Sequence, residues 1–350
     1  MKPRFRIDEK RLERAFAVAQ EGVESGEVPS AVVAVATGSR LVDCRAFSRR
    51  DGESVATDSI FLLGSITKPI VATALMRLVE DGRLGLFEPV QRYIPEFAQP
   101  GKPPVTSWHL LTHTSGIEED TSYGFLRPRR EPASAYLDAA LRSTILTVPG
   151  TQYRYCSLSF YIVAELIARL SGLPYAEYLR AHIFEPLGMS STGFDPDALD
   201  SRRHVPVRNM GGLLPYFISL AAPGGGLWSA AADLVTFGQA FLNDGLHGSY
   251  HLLSPAWIEI MTQEHTTGLP QAHPYEAERP HYGLGWQTKG RDPQLPGSPR
   301  AYCHNGVTGT QLWIDPAWDL ICVFLTNEWG LEHNVRYRVV QAAYSALRPE

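Results

Sequence analysis

The sequence predicts an α+β protein of two lobes, one a five-stranded antiparallel sheet flanked by helices, the other mostly helical. Three observations predict this. Short apolar runs of strand length gather near both ends of the chain. Each group lies beside an amphipathic run at helical period. The middle of the chain carries helical periodicity and loops but little strand signal.

Residues 8–25 set Leu12, Phe16 and Val23 among charges, with Asp8 as a suitable N-cap, so the chain opens on a helix. AVVAVA (31–36) and LVDCRAF (41–47) flank Gly38-Ser39 and read as a hairpin. FLLG (61–64) is strand-like and runs into the amphipathic PIVATALMRLVEDG (69–82). SFYIVAELIARLSG (159–172) has an apolar stripe through Ile162, Leu166, Ile167 and Leu170, and Gly172 ends it. YAEYLRAHIFEPLG (175–188) is a further helix, expected to stop at Pro186, and AADLVTFGQAFLNDG (231–245) is another, with Gly245 at its C-terminus. AYCH (301–304), GTQLWID (309–315) and LICVFLTN (320–327) give three strands, and HNVRYRVVQAAYSAL (333–347) a closing helix. Two early and three late strands can share one sheet. The sheet lobe is then residues 1–62 and 222–350, and the helical lobe 63–221. Segments 196–225 and 262–300 are rich in Pro, Gly and charge, and are expected to be long loops near function.

The bulk numbers exclude several classes. The chain has 350 residues, 44% hydrophobic and 20% charged, which fits a globular protein rather than a disordered one. A net charge of −5 and a pI near 6.1 leave no basic footprint for nucleic acid. No apolar run approaches the ~20 residues that span a bilayer, so no membrane partner is expected. MKPRFRIDEKRLERAF is charged where a signal peptide would be apolar, and a cytoplasmic location is expected. Cys44, Cys156, Cys303 and Cys322 are scattered without a CxxC pair, against structural zinc or a disulfide framework.

The chemistry gathers where FLLG meets the following helix. Ser65 and Lys68 are three residues apart, hence on one helical face. A serine hydroxyl needs a proton acceptor to become a nucleophile. Partial burial can lower a lysine toward neutrality. A helix N-terminus adds free N–H groups that favour developing negative charge. Alone this pair is a weak signal, because serine is also a common helix cap.

Its company is specific. WHLLTHTSGI (108–117), PGTQYRYCSLSFYIVAELIARLSG (149–172), PGGGLWSAAADLVTFGQAFLNDG (223–245), YGLGW (282–286) and HNGVTG (304–309) follow in order. In order and spacing, from about residue 10 to 345, the chain resembles the serine β-lactamase-like hydrolases. That group comprises class C β-lactamases, penicillin-binding DD-peptidases and β-lactamase-fold esterases. The resemblance implies a β-lactamase/transpeptidase-like fold with its site between the lobes and no metal or organic cofactor. It implies Ser65 as the acylated nucleophile, assisted by Lys68. Tyr155, in Tyr155-Cys156-Ser157, stands where the family has Tyr-x-Asn and would form a coupled base with Lys68. His304-Asn305-Gly306 stands where many members have Lys-Thr-Gly. The oxyanion donors would be the N–H groups of Ser65 and Val307, with Ser157, His304, Gly306 and Val307 contacting substrate. Gly306 would let the substrate backbone approach the strand.

Two departures bear on substrate. Ser157 replaces an amide that both donates and accepts. His304 replaces a permanent cation with a group mostly neutral at pH 7. Both favour a small-molecule ester over a β-lactam or peptide carboxylate. The alternatives are a β-lactamase or D-amino-acid peptidase, or a catalytically weak scaffold with the same fold. Arg127, Arg129 and Arg130 are read as a solvated run rather than a replacement cation. His113 is read as structural, Cys156 as a buried thiol, and PGGG as backbone passing close beneath the site. HGSYH lacks the acid of HExxH, and no Gly-x-Ser-x-Gly elbow occurs. Trp228, Tyr282, Trp286 and Trp313 suit either a cleft wall or a core.

Overall fold

The strand Ser30–Ala36 alternates between two apolar cores. Val32, Ala34 and Ala36 join one, and Ala31, Val33 and Val35 the other. Successive side chains of a strand point to opposite faces, so this strand has to be central and covered on both sides. In the computed structural model, which describes residues 5–50, 52–99, 102–119, 122–271, 281–290 and 295–349, it is. Six strands form the main sheet: β1 Ser30–Ala36, β2 Leu41–Ser48, β3 Gln287–Thr288, β4 Tyr302–Asn305, β5 Gln311–Asp315 and β6 Leu320–Leu325. Their spatial order is β2-β1-β6-β5-β4-β3, all antiparallel. The register sets Val33 opposite Phe324 and Trp313 opposite Cys322.

Helices α1 (Glu9–Glu24) and α2 (Val335–Tyr344) cover one face through Leu12, Phe16, Val23, Val335 and Val339. Asp8 caps α1 by accepting from the Arg11 N–H. The chain ends are tied together, Phe5–Ile7 pairing antiparallel with Leu347–Pro349. The opposite face receives the helix Ala231–Leu242 through Phe237 and Phe241. From there the same core continues into the helices Thr67–Glu80 and Ser159–Ser171 through Ile70, Leu75, Phe160 and Leu166. The helical part and the sheet therefore share one apolar cluster. Each fully buried Phe or Leu in it contributes roughly 1.5–3 kcal/mol.

The sheet has six strands, not the five expected. The sixth, β3, is two residues long and lies on an edge, too short to show alternation in sequence. The helical run from Tyr175 passes Pro186 and ends at Leu187. A π turn over Arg180–Phe184 comes first, so Pro186 sits in a fresh first turn where a missing N–H is harmless. Segment 196–225 is broken by short 3₁₀ turns and a helix, Leu214–Ser219. Of the expected loop 262–300, residues 272–280 and 291–294 lie outside the described residues. No helix among the described residues is long and apolar enough to cross a membrane.

Candidate active site

The FLLG seam is built as a strand, a tight turn and a helix. Phe61–Leu62 pairs antiparallel with Trp228–Ser229, and the Leu63 N–H donates to the Leu227 carbonyl at 2.8 Å. Ser65 follows in a 3₁₀ turn, Gly64–Ile66, and the α-helix begins at Thr67. This helix is apolar almost all round and buried accordingly. Lys68, on its first turn, is fully buried with it. Its Nζ donates to Ser65 Oγ at 3.1 Å, to Ser157 Oγ at 3.1 Å and to the Gly224 carbonyl at 2.7 Å. Three acceptors match the three N–H bonds of an ammonium. Gly224 belongs to PGGG, so that loop does run beneath the site.

A second segment, 154–157, is held from the LLTHTSG side. The Arg154 N–H donates to the His113 carbonyl at 2.8 Å, and the Cys156 N–H to His113 Nδ1 at 3.1 Å. His113 is fully buried with φ of 56°, and its ring lies 4.3 Å from that of Tyr155. It therefore shapes the segment from within. The Ser157 N–H donates to Glu119 Oε2 at 2.6 Å. Tyr155 is thereby set with its ring centroid 4.8 Å from Lys68 Nζ. One amine thus joins the hydroxyls of Ser65 and Ser157 and the face of Tyr155.

The third component is the turn between β4 and β5. Thr308 Oγ1 donates to the Leu62 carbonyl at 2.8 Å and Thr310 Oγ1 to the Leu63 carbonyl at 2.7 Å. The turn is therefore seated on the backbone just before Ser65. A Cβ on Gly306 would lie 2.0 Å from the Leu63 carbonyl oxygen. The close approach that Gly306 permits is thus also to the protein's own chain. Val307 is 38% exposed at the cavity and adjoins Gly64.

A cavity of about 1230 Å³ opens over these groups, and Ser65, Tyr155, Ser157, Gly306 and Val307 all line it. His304 does not. It is buried in β4, its Nδ1–H donating to the Asn305 carbonyl at 2.8 Å while Nε2 accepts from the Tyr282 hydroxyl at 2.7 Å. It contacts the site through Tyr282 rather than through substrate. Burial, then the charge of Lys68, pushes its pKa down to about 3. The same two causes hold His113 well below its ordinary value, so both imidazoles are neutral. Cys156 is fully buried, and burial first, then Glu119, pushes its thiol pKa well up. Trp286 and Trp313 are core, whereas Tyr282 lines the cavity.

The sequence reading did not place Arg127 or Glu119 at the site. Arg127 lines the cavity, 5.0 Å over the ring of Trp329, and is not part of a purely solvated run; Arg129 instead lies over Phe125. Glu119 is a nearly buried carboxylate on the wall. Its only signal was its place two residues after TSGI, where the acidic run EED reads as ordinary loop.

A sequence model described as Beta-lactamase matches residues 15–345. Esterase EstB of Burkholderia gladioli is 29% identical over 364 residues, covering 90% of this chain and 90% of the esterase. Penicillin-binding protein 4 of Amycolatopsis lactamdurans is 31% identical over 319 residues, covering 86% of this chain and 81% of that protein. The solved structure of a penicillin-binding protein homologue from Caulobacter crescentus matches with a TM-score of 0.81 at 21% identity, over 98% of this chain and 100% of that one. The fold is β-lactamase/transpeptidase-like, and the chain belongs to the beta-lactamase family.

Proposed function

We propose that this protein is a serine hydrolase that works through a covalent acyl-serine and takes carboxylic esters. The observation that carries the reading is the 3.1 Å hydrogen bond between Lys68 Nζ and Ser65 Oγ, with Ser65 on the wall of a large cavity. In the reaction the Lys68–Tyr155 pair, having first given up one proton, takes the Ser65 proton as Oγ bonds to the ester carbonyl carbon. The N–H groups of Ser65 and Val307 receive the oxyanion. The carbon–oxygen bond to the alcohol then breaks, and the alcohol leaves with the proton. Water repeats the sequence on the acyl-serine and releases the acid. Lys68 and Tyr155 exchange the proton as a coupled pair, so neither alone is the base. The four cysteines form no disulfide, which suits a reducing, cytoplasmic compartment.

The ester reading rests on His304. Its imidazole is neutral, buried and engaged with Tyr282, so it offers no cation to a substrate carboxylate. EstB supports an ester substrate by its name and its coverage. A second reading, β-lactam or D-peptide turnover, is favoured by Arg127, Arg336 and Arg338 on the cavity wall, which can meet a carboxylate elsewhere. A fluorophosphonate probe tests the core of the proposal. Labelling of the wild type that disappears in Ser65→Ala supports an acyl-serine enzyme, whereas a folded wild type that never labels is a scaffold. Comparing a short-chain nitrophenyl ester with a chromogenic cephalosporin tests the substrate class, and faster cephalosporin turnover overturns it.

A further inference from the structure

Of the three arginines in LRPRR, only Arg127 is turned inward. Leu126 is buried in the main core and Arg127 is half-buried, whereas Arg129 and Arg130 are exposed. A turn fixes this, the Arg130 N–H donating to the Arg127 carbonyl and the Glu131 N–H to the Leu126 carbonyl, each at 3.1 Å. The Glu131 carbonyl accepts from the Tyr216 hydroxyl at 2.8 Å, which ties the turn to the helix Leu214–Ser219. The Arg127 guanidinium lies 5.0 Å over the ring of Trp329, and Trp329 meets Phe217 edge to face at 5.1 Å. Phe217 in turn reaches the serine turn. A Cβ on Gly225 would lie 3.8 Å from the Phe217 ring and 3.8 Å from the Gly64 carbonyl carbon. Trp329 is fixed by its backbone, its N–H donating to the Arg208 carbonyl at 3.0 Å, and the next N–H, of Gly330, to the Val307 carbonyl at 2.7 Å. The wall therefore runs from the serine turn through Phe217 and Trp329 to Arg127, and Ser65 and these three side chains all line the cavity.

We propose that Arg127 sets specificity on the acyl side, the substrate being a monoester of a dicarboxylic acid whose far carboxylate pairs with Arg127 while its methylenes lie along Phe217. This deepens the ester reading above and rests on it. A guanidinium seated on an aromatic face keeps its N–H fork for another partner, and the fork matches a carboxylate in shape and in unit charge. Among the described residues no carboxylate forms an ion pair with Arg127. Glu328, beside Trp329, is engaged by Asn209 at 2.6 Å and by Arg208 at 4.0 Å. Glu119, on the cavity wall, accepts from the N–H groups of Ser157 and Leu158 and from the Cys156 thiol. Glu332, the other acid of the wall, is exposed. The apolar rings between Arg127 and the serine turn suit a methylene spacer, and a carboxylate at the end of such a spacer makes no demand on His304, which faces Tyr282.

The test has a binding arm and a kinetic arm. Adipate and hexanoate, matched in length, are titrated by calorimetry into Ser65→Ala, in which no acyl-serine can form. Adipate is expected to bind about ten- to a hundredfold more tightly, the range of a hydrogen bond to a charged group. Adding Arg127→Gln is expected to remove that difference. Arg127→Lys, which keeps the charge without the fork, is expected to retain part of it. In the kinetic arm, kcat/KM is measured for the nitrophenyl monoester of adipic acid and for its uncharged nitrophenyl methyl diester. The ratio of the two is expected to be about tenfold or more higher in wild type than in Arg127→Gln, chiefly through KM. Equal binding of adipate and hexanoate overturns the proposal. So does an adipate preference that survives Arg127→Gln, which would place the far carboxylate at Arg336 or Arg338. An Arg127→Gln protein that melts earlier but keeps the wild-type ratio also overturns it, and makes Arg127 a clip between two segments. Adipate preference that depends on Arg127, in a protein that no fluorophosphonate labels, supports the Arg127 subsite and overturns the acyl-serine reading instead.

Discussion

A Cβ placed on Gly64 would lie 2.8 Å from the amide nitrogen of Val307 and 3.1 Å from the Cα of Gly306. The turn that carries Ser65 and the turn that carries Val307 thus meet backbone to backbone, with no room for a side chain between them. Gly64 also has φ of +59°, a region other residues rarely adopt. Gly64→Ala is expected to push the Val307 amide off the serine and to strain the turn. Ester hydrolysis should fall ~10²–10³-fold, the loss typical of one oxyanion donor. The melting temperature should fall as well. Steady-state kinetics beside a thermal melt check both, and an alanine variant with wild-type turnover removes Val307 from the mechanism.

Lys68→Met keeps an unbranched side chain in the buried slot and deletes the amine. It should lower kcat/KM for a nitrophenyl ester by ~10²–10⁴-fold, the range of a lost acid–base group. The Gly224 carbonyl loses its donor, at about 1–3 kcal/mol of stability. Far-UV circular dichroism should be unchanged. A variant that keeps more than a tenth of wild-type activity would mean that Tyr155 works without the amine.

The pKa of His304 is depressed from its ordinary 6.5 to about 3. Between these values the unfolded chain binds a proton there and the folded chain does not. The contribution of His304 to stability is therefore intact above about pH 6.5 and is lost as pH falls toward 3, by about 1.4 kcal/mol per pH unit. Glutamine can accept from Tyr282 and donate to the Asn305 carbonyl without titrating. His304→Gln is thus expected to show a shallower loss of stability between pH 6 and 4, by about one proton. Denaturant melts across that range decide it, and parallel curves would mean that His304 is protonated in the fold.

One flank of the cavity is aromatic. Tyr136 and Tyr161 stack at 5.2 Å, the Tyr136 and Tyr216 hydroxyls are 2.8 Å apart, and Phe217 and Leu220 continue the wall. An apolar acyl chain would be buried there. At about 0.8 kcal/mol per methylene, kcat/KM should rise roughly fourfold per carbon from acetyl to hexanoyl esters. Leu220→Asp should flatten that series. A wild-type series that declines with length would place the acyl group on the arginine flank.

Much of this was legible along the chain, and for a physical reason. Asp8 caps its helix, Gly172 ends another, and the unbroken apolar run AVVAVA is that of a strand buried on both faces. These are local signals, carried by residues within a turn or two of one another. Ser65 and Lys68 belong with them, since one helical turn brings them together. Edge strand β3 was lost because two residues carry no period, and the helix past Pro186 because a π turn reset its ladder.

Sequence alone therefore determined the elements, the family resemblance and the serine–lysine pair. The rest needed three dimensions, because it depends on which distant backbones touch. That His304 turns to Tyr282 and away from the cavity follows from packing of β4 against 281–286. That Gly306 receives the Leu63 carbonyl follows from two threonines docking a turn across some 250 residues of chain. That Glu119 lies one residue from Lys68 follows from the way segment 154–157 is pinned between His113 and Glu119. Burial and charge are properties of neighbours in space, and only the folded chain assigns those neighbours.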